Sequence, residues 1–82
     1  MNDRLIPLNL LPLGQFGRVR RLSAGGSKRR RLLDLGLIQG TQVEALCKSP
    51  SGDPTAYQIR GAVIALRSEE ASCIMMEALK EE

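Results

Sequence analysis

Residues 29–46 read RRRLLDLGLIQGTQVEAL: three arginines run into a leucine-rich turn, two glycines follow four apart, and apolar and polar residues then alternate. The stretch predicts a helix over residues 28–35, N-capped by Ser27 and stopped by Gly36 in the left-handed conformation of a C-cap. Leu32 and Leu35 share one helical face, with Leu33 beside it, so the helix has one apolar stripe to lay on a core. A helix this short does not hold alone in water and needs that packing. Gln39 and Gly40 form a turn in which Gly40 supplies the positive φ required at the third position of a type II turn. Residues 41–48 then read as a strand with Val43, Ala45 and Cys47 on one face, Gln42, Glu44 and Lys48 on the other, and Leu46 as an exception on the polar face.

The same alternation extends outward in both directions. Upstream, FGRVRRL at 16–22 is a strand anchored by Val19 and blurred at its ends, and SAGGS is a flexible break before the helix. Downstream, SPSGDP at 49–54 closes the strand, with Asp53 as an Asx-turn candidate. TAYQIR then carries Tyr57 and Ile59 on one face, Gly61 breaks the run, and AVIALR resumes as the second arm of a hairpin. SEEA at 68–71 makes one helical turn capped by Ser68, with its acids placed to suit the helix dipole, and SCIMM offers a last strand. The fold class is therefore mainly β, a small barrel of five or six strands with one short α-helix inserted. Gly36, Gly40 and Asp53 are its structural turn residues.

Composition limits what such a chain does. The 82 residues are 43% hydrophobic and 26% charged, which describes one small globular domain spanning 1–82 with a single core. A deep catalytic cleft is hard to build at this size, so a binding module is expected rather than an enzyme. The uncharged stretch 5–17 is interrupted by Pro7 and Pro12 and is too short to span a bilayer. With Asp3 and no small-residue cleavage site near the start, no signal peptide is expected, and the setting is cytoplasmic. Cys47 and Cys73 form no CxxC pair and the chain has no histidine, so both are expected to be free thiols buried as small hydrophobes. The net charge of +3 hides a polarised chain: residues 18–31 hold seven bases and no acid, whereas 69–82 hold five acids and one lysine. A basic face of this kind suits an acidic protein surface, anionic headgroups or a nucleic acid.

The run RLLDLGLIQG, the loop SPSGDP and the segment IRGAVIALRSEEA together resemble the ferrous iron transport protein A (FeoA) family. The upstream LNLLPLGQFGRVRRL is similar to that family's opening, so the likeness covers about residues 8–76. It implies an SH3-like barrel that serves as accessory or regulator to FeoB, the large membrane GTPase carrying ferrous iron across the bacterial inner membrane. It also implies that the chain lies at the membrane only through that partner. Two departures stand out. Gln39 occupies a position where the family commonly has proline, which softens the turn without removing it. The helix start is also more basic than the family pattern.

Rival functions are less well served by the residues. Proline-rich peptide grooves are lined by aromatics, and here Phe16 and Tyr57 are the only two. A nucleic-acid-binding SH3-like module would suit the basic stretch but lacks stacking platforms, so no stable nucleic acid complex is expected. The SH3-like domain of iron-dependent repressors is similar too, yet no helix-turn-helix accompanies it in these residues. A weak transition-metal-binding protein is the remaining alternative. Without histidine, Asp53, Glu69, Glu70 and Glu77 read as solvated or capping groups, and no metal site, cofactor or catalytic residue is expected. Lys28 to Arg31 sit where the helix dipole disfavours cations by about 0.3 kcal/mol each, a cost that an acidic partner offsets. Leu37 and Ile38, held between two glycines with little room to bury both, and the neighbouring Arg29 and Arg31 are therefore the expected partner-binding patch for the FeoB-like GTPase.

Overall fold

The computed structural model describes residues 4–79. In chain order the elements are β1 (Leu5–Pro7), a 3-10 turn (Leu8–Leu10), β2 (Phe16–Leu22), α1 (Gly26–Asp34), β3 (Gln42–Lys48), β4 (Thr55–Ile59), β5 (Ala62–Leu66), α2 (Ser68–Ala71) and β6 (Ile74–Ala78). The strands form one antiparallel sheet in the order β1-β6-β2-β3-β4-β5, the mainly β fold expected. Strand β1 lies in the proline-interrupted apolar stretch, where alternation gives no strand signal. Pairing with β6 from Leu5↔Glu77 to Pro7↔Met75 makes it an edge, a position that tolerates a residue without an N–H. Lys80, Glu81 and Glu82, which complete the acidic end of the chain, lie outside the described residues, as do residues 1–3.

Val19, Val43, Tyr57, Ile59, Ile74 and Met76 fill the sheet's inner face, and Leu32 and Leu37 cover it from the helical segment. Two bulges decide which side chains reach this core. In β3 the register steps from Ala45↔Tyr57 to Cys47↔Ala56, leaving Leu46 as the extra residue. A bulge reverses the facing of the residues beyond it. Cys47 is therefore exposed rather than buried beside Val43 and Ala45, and Leu46 is half-buried. Cys73 is half-buried, and neither thiol forms a disulfide. The second bulge is in β2, where Val19↔Met76 is followed by Arg21↔Met75 with Arg20 between them.

The end of α1 is a Schellman motif. Gly36 takes φ +101°, its N–H donates to the Leu33 carbonyl at 3.0 Å, and the Leu37 N–H donates to the Leu32 carbonyl at 3.1 Å. This motif brings together the residues at its two ends, and Leu32 and Leu37 are both fully buried. The expectation that Leu37 reaches a partner is thus corrected: the closure that Gly36 permits drives Leu37 into the core and leaves Ile38, 45% exposed, outside. The following turn is of the type expected, with Gly40 at φ +92° and the Thr41 N–H donating to the Ile38 carbonyl at 3.0 Å.

Both helix starts differ from expectation. Helix α1 begins at Gly26 after Gly25, without a capping side chain, because the chain enters it through glycines rather than through Ser27. Ser68 is the first residue of α2 rather than its cap. Its N–H and hydroxyl donate to Asp53 Oδ1 at 2.8 and 3.3 Å, so Asp53 anchors α2 across the fold instead of closing a local Asx turn. Glu70 accepts from the Arg67 N–H at 3.1 Å and completes the start of α2.

The packing sets two expected results. A Cβ at Gly36 would adopt an unfavourable positive φ and lie 2.6 Å from the Arg60 side chain. Gly36→Ala is therefore expected to lose about 1–2 kcal/mol, lowering the melting temperature by roughly 4–16 °C on a calorimetric scan. Burial raises the Tyr57 phenol above its ordinary pKa of 10.0, the Asp53 charge adds to the rise, and a hydrogen bond with Thr55 opposes it. The unfolded chain then ionises first. The Tyr57 contribution is intact below about pH 10 and is lost as pH rises through the higher folded value. Denaturant midpoints should fall more steeply above pH 10 for the native chain than for Tyr57→Phe.

Candidate functional site

The bulge at Arg20 breaks the alternation of β2, and Arg20 and Arg21 both emerge on the surface next to α1. A groove of about 200 Å³ runs between them and the helix, with Arg20, Arg21 and Arg29 on its rim, Leu22 and Leu33 on its walls and Leu37 beneath. Arg29 and Leu33 also line an adjoining open depression of about 340 Å³ along α1, together with Gly26, Arg30 and Asp34. Gln39 closes one end of the groove. The turn carrying it is tied to β2, because the Gly40 N–H donates to the Val19 carbonyl at 2.7 Å and the Val19 N–H to the Thr41 carbonyl at 2.9 Å. Exposed Ile38 therefore stands beside Gln39 at the groove's end.

The cations of this face are not equivalent. Arg20 pairs with Glu77 at 3.1 Å, a tether to β6. Arg31, expected to meet a partner, instead pairs with Glu70, whose side chain is only 13% exposed. It links α1 to α2, a structural role that the strand-helix order concealed. Among the described residues Arg18, Arg21, Lys28, Arg29 and Arg30 make no ion pair. There is no acid in the first turn of α1 to balance its dipole either, so the field over the groove stays positive. Of the four residues expected at the partner surface, the fold brings Arg29 to the groove, leaves Ile38 exposed next to Gln39, buries Leu37 and engages Arg31 elsewhere. Arg20 and Arg21 are the additions. Their signal in the sequence was the consecutive pair itself, which a regular half-buried strand does not accommodate.

Nothing in the groove can move a proton or hold a metal by itself, since guanidinium groups remain charged and offer no ligand. Among the described residues no three His, Cys, Asp or Glu side chains cluster in a way that could hold a metal ion. Purified protein in reducing buffer is accordingly expected to bind ferrous iron no more tightly than about 0.1 mM by calorimetry. Stoichiometric micromolar binding would overturn this expectation. No helix in the described residues is long and apolar enough to cross a membrane.

A family model for the FeoA domain matches residues 6–78. The chain belongs to the FeoA family. The NMR structure of a FeoA-like protein from Clostridium acetobutylicum superposes with a TM-score of 0.89 at 33% identity, covering 100% of this chain and 94% of that one. FeoA of Stenotrophomonas maltophilia, solved in complex with zinc and described as a prokaryotic SH3 domain protein, gives a TM-score of 0.77 at 31% identity, covering 85% and 87%. The SH3-like architecture of the FeoA family is thus shared by the present chain. A Porphyromonas gingivalis protein that joins Fe(2+) transport protein A to the transporter FeoB in one polypeptide is 29% identical over 72 residues. This chain spans 8% of that fusion protein's length.

Proposed function

We propose that this FeoA-family chain is an accessory protein of ferrous iron transport that acts by docking on a FeoB-like membrane GTPase, on its cytoplasmic side. The observation that carries this reading is the Porphyromonas fusion, in which a FeoA module and FeoB are one polypeptide. Fusion holds two partners at high effective concentration, and separate chains need a surface to do the same work. The basic groove is the surface best suited to it. Among the described residues Arg21 and Arg29 make no ion pair, and they steer approach to an acidic patch, while Leu33 and Ile38 supply apolar anchors at its edge. Action by binding rather than catalysis agrees with a site built from arginine and leucine. Anionic headgroups near the GTPase would meet the same cations. The reading is tested by co-purification with the FeoB-like GTPase from detergent extracts of the same organism. Recovery with the wild-type chain and loss with Arg21→Glu/Arg29→Glu is the expected result, and recovery of both would place the contact elsewhere.

A further inference from the structure

Strand β5 ends the sheet, paired with β4 on one side and with no strand on the other among the described residues. The hairpin joining them turns through Arg60 and Gly61, both at positive φ (51° and 83°), which is the two-residue type I′ geometry. In such a hairpin the pair flanking the turn, Ile59↔Ala62, exchanges hydrogen bonds, and the pairs alternate from there. Ala62, Ile64 and Leu66 therefore point their peptide groups at β4, whereas Val63 and Ala65 point both N–H and C=O outward. No backbone bond from elsewhere in the described chain meets them.

Natural sheet edges are usually guarded by a charge, a proline, a bulge or brevity. The opposite edge, β1, has two of these devices, being three residues long with Pro7 at its end. Strand β5 is AVIAL, without charge, proline or glycine, and its register with β4 has no bulge. Val63 is 63% exposed, beside exposed Ala65. An edge left this open offers main-chain hydrogen bonds to an added strand.

Charge selects the occupant. Arg60 and Arg67 stand exposed at the two ends of β5, and Arg67 keeps 66% of its side chain exposed although Asp53 lies 3.8 Å away. If two copies paired β5 antiparallel so that Val63 met Ala65, Ile64 would face Ile64. Each Arg67 would then oppose Gly61 of the other copy, next to its Arg60, bringing like charges together at both ends. In that register a second copy is disfavoured, while a strand with acids at its ends is favoured at both.

We propose that the outer edge of β5 is a strand-addition site for an extended segment with a β-branched centre and an acidic residue at each end. The segment adds to the sheet through the outward peptide groups of Val63 and Ala65, with its acids against Arg60 and Arg67. This site is separate from the groove between β2 and α1, so it stands or falls independently of the docking reading above.

The test is an NMR titration of the nitrogen-15-labelled chain with two synthetic peptides, acetyl-Glu-Val-Thr-Val-Thr-Glu-amide and the same peptide with lysine at both ends. The acidic peptide is expected to shift and protect from exchange the Val63 and Ala65 amides. It should bind about tenfold or more tightly than the lysine peptide, the ratio that two ion pairs replaced by repulsions produce. Ala65→Pro removes one outward N–H without touching a β4 bond and should abolish the response. If that variant melts early, N-methylation of the peptide's central valine makes the same deletion from the ligand side. Equal affinity for both peptides, shifts confined to the arginine groove, self-association through β5, or no response at millimolar peptide would each overturn the proposal.

Discussion

Leu37→Ala is expected to lose about 2–5 kcal/mol, whereas Ile38→Asp, one residue later, should keep the melting temperature within about 4 °C of wild type. The difference arises from the Schellman closure. Leu37 donates its N–H to the Leu32 carbonyl and is fully buried against the core, while Ile38 begins the next turn and is 45% exposed. Removing a buried isobutyl group leaves a cavity whose lining loses contacts, and a core of this size has few neighbours to collapse into it. Small domains have stabilities near the low end of about 5–15 kcal/mol, so Leu37→Ala should melt at least about 10 °C lower and be partly unfolded at growth temperature. Circular dichroism melts of the two variants side by side check the assignment. Equal losses would mean that the helix end is packed differently.

The largest expected effect on function is a loss of partner binding without a loss of fold. Arg21 and Arg29 are exposed and make no ion pair among the described residues, so Arg21→Glu/Arg29→Glu breaks no ion pair there. At residue 29 a glutamate near the start of α1 even complements the helix dipole, by about 0.3 kcal/mol or more. The double variant should melt at or slightly above the wild-type temperature while losing association with the GTPase. Arg31→Glu behaves in the opposite sense. It sets two acids against each other at Glu70, loosening α1 from α2, and should lower stability with only a secondary effect on binding. This contrast separates a docking arginine from a structural one on the same short helix.

How far these roles were legible depends on the physics of each feature. Turn chemistry was readable where it depends on one residue: Gly36 and Gly40 adopt the positive φ that their positions demanded, and Gly61 closes the β4–β5 hairpin. Long-range register was not. Leu46 on the polar face and the consecutive Arg20 and Arg21 mark where alternation fails, but only pairing with the opposite strand shows that each is a bulge, and these bulges expose Cys47 and place Arg20 and Arg21 beside α1. Strand β1 was hidden because a three-residue edge has no room to alternate. Arg31 and Glu70 meet across 39 positions, a pairing set by how α1 and α2 pack rather than by spacing. Of the expected patch, Arg29 and Ile38 came to the surface because one lies on the outer face of a short helix and the other just past its closure.

The central claim, that the groove between β2 and α1 is the docking surface for a FeoB-like GTPase, is tested most directly by a binding titration. The purified chain is titrated against the detergent-solubilised GTPase of the same organism at low and at moderate salt, with Arg21→Glu/Arg29→Glu in parallel. Docking through the groove predicts saturable binding by the wild-type chain that weakens as salt rises, and none by a double variant whose melting curve is unchanged. Undiminished binding by that folded double variant would contradict it.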